Sequence, residues 1–429
     1  MKEKDYEILG VVGLGYVGLP LAMEFVRAGY RTIGFDKDCR KVKMLSSGET
    51  YIKHIGEKRV KKMVNTGLFE ATSDFSRVRK VDAISICVPT PLTRHKMPDL
   101  SFVLDSTRSI STNLKKGALV ILESTTYPGT TREEIFPILK NGGRKIDEDF
   151  YLAFSPERED PGNKKYNTRN IPKVVGGVTK ESTRRAVELY ATIFDKVVEV
   201  SSSEVAEATK LLENTYRSVN IALVNELKII FDKMGINIWE VIEAAKTKPF
   251  GYSPFYPGPG LGGHCIPIDP FYLSWKAKEF GINTRFIELA GEINTSIPEY
   301  VVDKTISALN EQKKSLSGSN VLVIGVTYKK DIDDTRESPG IRIMEMLIKR
   351  GANVSYYDPY IPKISGFRQT DLVTESVVLT EEFLSEQDAI IITTAHSNID
   401  YKMILENSAL ILDTRNVYSE IKSDKIVKA

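Results

Sequence analysis

Short apolar runs, each closed by a turn signal, recur along the chain. Tyr6–Val12 (Y-E-I-L-G-V-V), Arg31–Phe35, Asp82–Val88 (D-A-I-S-I-C-V), Gly117–Glu123 (G-A-L-V-I-L-E) and Tyr151–Phe154 have the length and composition of buried strands. Between the first two, helical spacing predicts a helix over Leu19–Ala28 with Gly29 as its C-cap. The alternation returns late in the chain. Asn320–Gly325 reads as a strand running into a turn, Ser338–Arg350 as a helix, and Asn353–Tyr357 as a strand closed by Asp358-Pro359. Asp388–Thr393 and Ala409–Asp413 read as further strands that echo Asp82–Val88 and Gly117–Glu123. A long helical pattern, stopped by Gly235, separates the two halves. It opens at Ser201-Ser202-Ser203-Glu204, where Ser followed three residues later by Glu has capping-box spacing. Its apolar positions, including Leu211, Leu212, Val219, Ala222, Leu223, Leu227 and Ile230, occupy more than one face. Such a helix is expected to be buried between domains or in a subunit interface. A second helical stretch, Trp239–Lys246, follows.

At 429 residues the chain is too long for one ordinary core. Its 59 Lys+Arg against 57 Asp+Glu argue against a nucleic-acid or membrane surface as main partner. No run reaches the roughly 20 apolar residues of a membrane span. The charged start, Met1–Asp5, leads straight into a strand, so no signal peptide and a cytoplasmic location are expected. Cys39, Cys87 and Cys265 are far apart and lack CxxC spacing, which fits reduced thiols rather than disulfides or a zinc site. With only four histidines, no metal centre is expected.

Gly13-Leu14-Gly15-Tyr16-Val17-Gly18 directly follows the first strand, and Asp36 closes the second. Strand, G-x-G-x-x-G, helix, strand and acid in that order form the dinucleotide-binding fingerprint. The glycines admit the pyrophosphate to the helix N-terminus, while Asp36 binds ribose hydroxyls and repels a 2′-phosphate, favouring NAD over NADP. Lys37, Arg40 and Lys41 nearby weaken that preference. The predicted fold is α/β: two Rossmann-like doubly wound parallel-sheet domains joined by a long central helix and a helical middle domain. The boundaries are expected at 1–200, 201–310 and 311–429. The second α/β domain lacks G-x-G-x-x-G and is expected to bind something other than NAD. Its charged turn, Lys329–Arg336, suits nucleotide phosphates or is a solvated loop.

Several positions carry candidate chemistry. The stretch Pro254–Asp269 (P-F-Y-P-G-P-G-L-G-G-H-C-I-P-I-D) is too rich in Pro and Gly for helix or central strand, so a shaped loop presents Cys265 beside His264 and Asp269. Cys265 is either a covalent nucleophile or buried filler in an interdomain turn. Lys210 and Asn214 share a helix face at i, i+4 spacing, either as oxyanion stabilisers or as a snorkelling Lys beside a surface Asn. Glu157, in Ser155-Pro156-Glu157-Arg158, is a catalytic acid or a surface ion pair, and Cys87 is core packing.

These motifs together resemble the UDP-glucose/GDP-mannose dehydrogenase family. The resemblance spans nearly the whole chain: G-L-G-Y-V-G-L-P at Gly13–Pro20, V-P-T-P at Val88–Pro91, S-P-E at Ser155–Glu157 and K-L-L-E-N-T-Y-R at Lys210–Arg217. It continues with G-G-H-C-I-P-I-D at Gly262–Asp269 and Y-K-K-D-I-D-D-T-R-E-S-P at Tyr328–Pro339. It implies four-electron oxidation of a UDP-sugar C6 alcohol to a carboxylate, with NAD as acceptor twice and water as the final nucleophile. Cys265 would carry a thiohemiacetal and then a thioester. Lys210 and Asn214 would steady the oxyanion, and Asp269, Thr125 and Glu157 would order or activate water. Gly13, Gly15, Tyr16, Val17, Gly18 and Asp36 would hold NAD, with Thr90 and Thr126 on the nicotinamide side and Arg336 reaching a phosphate. Glu157, Arg158, Lys210, Asn214, Tyr256, Gly262 and Lys329 would contact the UDP-sugar, and His264 would bond the ligand or shape the loop. A homodimer or higher homo-oligomer through the central helix is expected, without nucleic-acid or membrane partners. Ile268 stands where UDP-glucose enzymes carry Lys before the loop Asp, so the loop is most similar to the UDP-GlcNAc 6-dehydrogenases. UDP-ManNAc, UDP-GalNAc and UDP-glucose enzymes, or a non-catalytic NAD-binding scaffold, are the alternatives.

Overall fold

The computed structural model describes residues 6–52, 55–93, 97–159, 166–263, 265–365 and 372–429. The chain forms two compact units, Met1–Glu213 with Phe271–Asn283, and Asn214–Pro270 with Thr284–Ala429. The segment 201–310 is divided between them.

The first unit is built on β1 (Ile8–Val12), β2 (Arg31–Phe35), β3 (Phe69–Thr72), β4 (Ala83–Ile86), β5 (Ala118–Leu122), β6 (Phe150–Phe154), β7 (Lys173–Gly177) and β8 (Val197–Glu199). They form one sheet in the order β3-β2-β1-β4-β5-β6-β7-β8. Neighbours are parallel except β6 and β7, which run antiparallel, a departure from the all-parallel expectation. Both faces are covered. Leu119 and Ile121 of β5 enter one apolar cluster while Val120 and Leu122 enter the other. This is the two-residue period of a strand buried on both sides, and it explains the continuous apolar runs. β1 begins two residues later than expected because the Asp82 carboxylate accepts the amides of Glu7 (2.8 Å) and Ile8 (2.9 Å).

In the second unit, β9 (Asn320–Ile324), β10 (Asn353–Tyr357), β13 (Ala389–Ile392), β14 (Ile411–Asp413) and β15 (Ile426–Lys428) form a parallel sheet in the order β10-β9-β13-β14-β15. A separate antiparallel ribbon pairs β11 (Lys363–Ser365) with β12 (Val373–Glu375). The echo of the first unit is closer than the sequence suggested. Gly325, at φ +82°, donates its amide to Tyr357 O at 2.8 Å, as Gly13, at φ +89°, does to Phe35 O at 2.8 Å. Asp358 corresponds to Asp36 but is consumed internally. Its carboxylate accepts the amides of Val326 (2.7 Å), Thr327 (3.3 Å) and Tyr360 (2.8 Å), meets His396 Nε2 at 3.1 Å, and is 2% exposed. Asp358 is therefore not available to a ribose.

The long helix runs Ser203–Lys233, ended by Gly235 at φ +70°. The expected capping box is not formed. Ser202 Oγ accepts the Val205 amide at 3.3 Å, while Glu204 turns to Arg132 at 2.6 Å, a stronger charged partner. A second long helix, Arg285–Glu311, was not anticipated because Pro298 interrupts its pattern. Gly260 packs on that proline: a Cβ at Gly260 would lie 3.2 Å from Pro298 Cγ and 3.2 Å from Pro339 Cβ. Among the described residues, no helix is long and apolar enough to cross a membrane.

Candidate active site

In the first unit the three fingerprint glycines have different reasons to be glycine. A Cβ on Gly13 would sit 2.6 Å from Cys87 O, and one on Gly18 would run into Gly13 O, so packing alone demands both. A Cβ on Gly15 would meet nothing within 4 Å. The protein itself leaves that space, where a pyrophosphate needs close approach to backbone. Asp36, at the end of β2, orders the turn by accepting the amides of Leu14 (3.0 Å) and Asp38 (2.9 Å), with Lys41 Nζ 3.5 Å away. Tyr16 and Val17 are half-buried beside it. Thr90 follows β4 and is buried. Thr126 follows β5 and is fully buried, and its Oγ1 has no hydrogen-bond partner among the described residues. An orphaned buried hydroxyl beyond the carboxyl ends of parallel strands fits a polar cofactor edge. These residues fit NAD. Replacing Asp36 with Asn is expected to raise the KM for NAD about tenfold, as expected for a lost charge-assisted bond of about 1.4 kcal/mol. It should also narrow the preference over NADP. Initial rates with each cofactor check both.

Beyond β6, the turn Ser155–Glu159 is held from several sides. Ser155 Oγ donates to Val174 O at 2.7 Å, and Glu157 accepts the Arg158 amide at 2.7 Å and the Glu159 amide. Lys210 Nζ donates to Glu157 O at 2.5 Å, so the two expected residues meet through the backbone. The Arg158 guanidinium is engaged by Glu213 (2.6 and 3.3 Å) and Pro172 O (2.6 Å). Thr125 is half-buried after β5. The turn beyond it is fixed by Glu207, which accepts Gly129 N (2.6 Å), Thr131 N (2.8 Å) and Thr131 Oγ1 (2.6 Å). Burial pushes Glu207 up to about 7. Sequence reading missed this residue; an acid among apolar helix positions was the available signal.

Cys265 is exposed just ahead of the helix Asp269–Lys278. Its carbonyl accepts the amides of Ile268 (3.2 Å) and Asp269 (2.7 Å), placing the residue at the positive end of the helix. Asp269 is buried and accepts Asn214 Nδ2 at 2.6 Å. Gly262 and Gly263 let the loop pack on the charged turn: a Cβ at Gly262 would lie 2.6 Å from Tyr328 Cβ, and Gly263 N donates to Arg336 O at 2.9 Å. The Arg336 side chain clasps Asp334 at 2.6 Å, and Lys329 is half-buried with its carbonyl accepting Thr327 Oγ1 at 2.9 Å. Tyr256 stacks on Trp239 and donates to Glu243 Oε1 at 2.6 Å. His264 lies outside the described residues.

Two basic residues that the sequence reading missed flank Gly258. Its amide donates to Asn225 Oδ1 (3.0 Å) and its carbonyl accepts Lys228 Nζ (3.2 Å). A Cβ there would lie 2.6 Å from Arg415 Nη1. Arg415 follows β14 at the carboxyl end of the sheet, which was the readable signal; Lys228 is hidden among apolar helix positions. Burial lowers Arg415 to about 10. Burial, then the Arg415 and Lys304 charges, lower Lys228 from 10.5 to about 7, against the opposing charge of Asp232. The unfolded chain therefore binds more protons than the folded one between those values, so this destabilisation is full below pH 7 and relieved as pH rises. Lys228→Met is expected to raise Tm relative to the parent more at pH 6 than at pH 9, as thermal melts at the two pH values can show.

A dinucleotide fingerprint with a fitted cofactor turn, and an exposed cysteine at a helix start, define an NAD-dependent oxidoreductase. Three domain models of the UDP-glucose/GDP-mannose dehydrogenase family match the chain: the NAD binding domain over residues 7–194, the central domain over 204–296 and the UDP binding domain over 322–420. The UDP-N-acetyl-D-glucosamine 6-dehydrogenase of Pseudomonas aeruginosa is 35% identical over 430 residues, covering 98% of this chain and 99% of its own. The UDP-N-acetyl-D-mannosamine dehydrogenase of Methanococcus maripaludis (strain C7) is 34% identical, covering 97% of this chain and 95% of its own. The solved structure of a UDP-D-ManNAc dehydrogenase from Pyrococcus horikoshii superposes with a TM-score of 0.89 at 32% identity, covering 97% of each chain. The chain belongs to the UDP-glucose/GDP-mannose dehydrogenase family: it is an NAD-dependent UDP-sugar dehydrogenase.

Proposed function

We propose that the chain oxidises the C6 alcohol of UDP-N-acetylglucosamine to the carboxylate, supplying a uronate for surface polysaccharide synthesis. The observation that carries the chemistry is Cys265 at a helix start, four residues from the buried Asp269–Asn214 pair. NAD supplies the acceptor for the two hydrides this oxidation releases. At the aldehyde level, the Cys265 thiolate adds to the carbonyl carbon and forms a thiohemiacetal, whose oxyanion Lys210 and Asn214 steady. Loss of the second hydride and the hydroxyl proton leaves a thioester. Water then adds to the acyl carbon, Cys265 leaves as the thiol, and the carboxylate is released. Glu157, with Thr125, orders that water and takes its proton, while Asp269 holds Asn214 in place. Lys228 and Arg415, flanking Gly258, and Lys329 suit the diphosphate, with Tyr256 and Gly262 on the sugar side.

The loop around Cys265 and the glucosamine-named relatives support N-acetylglucosamine; relatives named for N-acetylmannosamine, of similar identity, favour the C2 epimer as the second reading. NADH formation with UDP-GlcNAc, UDP-ManNAc, UDP-GalNAc and UDP-glucose in parallel decides. Preference for UDP-GlcNAc supports the proposal, and activity confined to another sugar overturns it. Tyr216, Leu223 and Ile230 form an exposed apolar stripe on the long helix, continued by Met234 just beyond its end, which we assign to a second copy of the chain in a homodimer.

A further inference from the structure

A buried charged cluster in the first unit stands directly behind the Glu157 turn. Lys173 opens β7 and is 3% exposed. Its ammonium hydrogen-bonds the Glu123 carboxylate, donates to Pro156 O at 3.3 Å and stands 3.9 Å from Glu157 Oε2. Glu123, also buried, takes a second hydrogen bond from the Tyr190 hydroxyl, which itself meets Ser85 Oγ at 3.3 Å. Burial pulls the Lys173 ammonium down, but Glu123 and then Glu157 outweigh it and hold it above the ordinary lysine value.

The fold does not need this cluster for packing. Two carboxylates and an ammonium at the end of an apolar sheet are expensive to desolvate, and apolar residues of similar volume would serve stability as well or better. The turn also holds two acids, Glu157 and Glu159, and the Glu159 amide donates to Glu157. Burial, followed by the charge of Glu157, pushes Glu159 up to about 8. Arg158 is occupied by Glu213, and Lys210 donates to the backbone carbonyl of Glu157. Among the described residues, Lys173 is therefore the cation placed on the Glu157 carboxylate.

We propose that Lys173 is a positioning residue for thioester hydrolysis: anchored by Glu123, it fixes the Pro156 carbonyl and the Glu157 carboxylate so that Glu157 receives the proton of the attacking water. This rests on the reading of Glu157 given above. Water adds to the thioester carbon, its proton passes to Glu157, and the Cys265 sulfur leaves; Lys173 exchanges no atom.

A purely structural lysine and a positioning lysine differ in which step they slow. Lys173→Met is expected to lower steady-state kcat about 100-fold, the order of a misplaced catalytic group. The KM for NAD stays near the parent value. Both hydride transfers precede hydrolysis, so mixing with the best UDP-sugar of the panel should give a rapid burst of two NADH per site. Intact-mass analysis should then find the acyl adduct on Cys265. Glu157→Gln should show the same burst and adduct, and Lys173→Arg should restore much of kcat. Should Lys173→Met fail to fold with Glu123 left unpaired, Glu123→Gln/Lys173→Met removes both charges and is read in the same way. Burst and adduct in Glu157→Gln but not in either Lys173 variant overturn the role of Lys173 alone. Parent-like kinetics in Glu157→Gln overturn the reading of Glu157 itself.

Discussion

Cys265→Ser binds NAD as tightly as the parent and releases essentially no uronate. A serine hydroxyl at this position is a far weaker nucleophile than a thiolate and a far worse leaving group, so both formation and hydrolysis of the acyl intermediate suffer. A helix start does not ionise an alcohol. Loss of a covalent nucleophile lowers turnover by roughly 10³-fold or more. The NAD binding domain covers residues 7–194 and Cys265 lies outside it, so cofactor affinity is an internal control. Titration of NAD by protein fluorescence, beside a uronate assay, separates the two. Parent-like uronate production by Cys265→Ser would remove the thioester from the mechanism.

Gly13→Val and Gly15→Val, two residues apart in one turn, are expected to fail in opposite ways. Gly13 has φ +89°, a conformation that costs an ordinary residue roughly 1–2 kcal/mol. Its new Cβ would also press on Cys87 O at 2.6 Å, and forced overpacking adds roughly 1–3 kcal/mol. Gly13→Val therefore lowers Tm markedly and loses NAD binding as a consequence. At Gly15 the added side chain meets no protein atom within 4 Å at Cβ. Gly15→Val keeps Tm close to the parent but fills the space proposed for the pyrophosphate, so NAD affinity falls at least 100-fold. Thermal melts with and without NAD test the pair. Intact NAD affinity in Gly15→Val would show that the empty space beside it is not the cofactor's.

What was legible in the sequence was local. The fingerprint from Ile8 to Asp36 could be read because each glycine, the helix and the acid follow within one chain segment. The parallel strands could be read because burial on both faces leaves unbroken apolar runs, as in Ala118–Leu122. The antiparallel turn of β7 was not, since strand direction leaves no mark on apolar composition. Pro298 concealed the helix Arg285–Glu311, because local rules read proline as a stop while tertiary packing against Gly260 accommodates it. The echo at Gly325 was hidden by spacing: Gly340, whose Cβ would lie 2.9 Å from Gly325 O as Gly18 abuts Gly13, comes after the charged turn rather than within a compact motif. The candidate site was legible as residue types, Cys265, Lys210, Asn214, Asp269 and Glu157, but not as partners. Nothing in the sequence pairs Lys173 with Glu123, fifty positions apart, because only the sheet order brings the two strand ends together.

The central claim is that one cysteine carries a sugar alcohol through two oxidations. The most direct test is the number of NADH formed per UDP-sugar when the preferred substrate is run to completion with excess NAD. The account predicts two NADH for each uronate released. One NADH per sugar, with an aldehyde as the product, would contradict it.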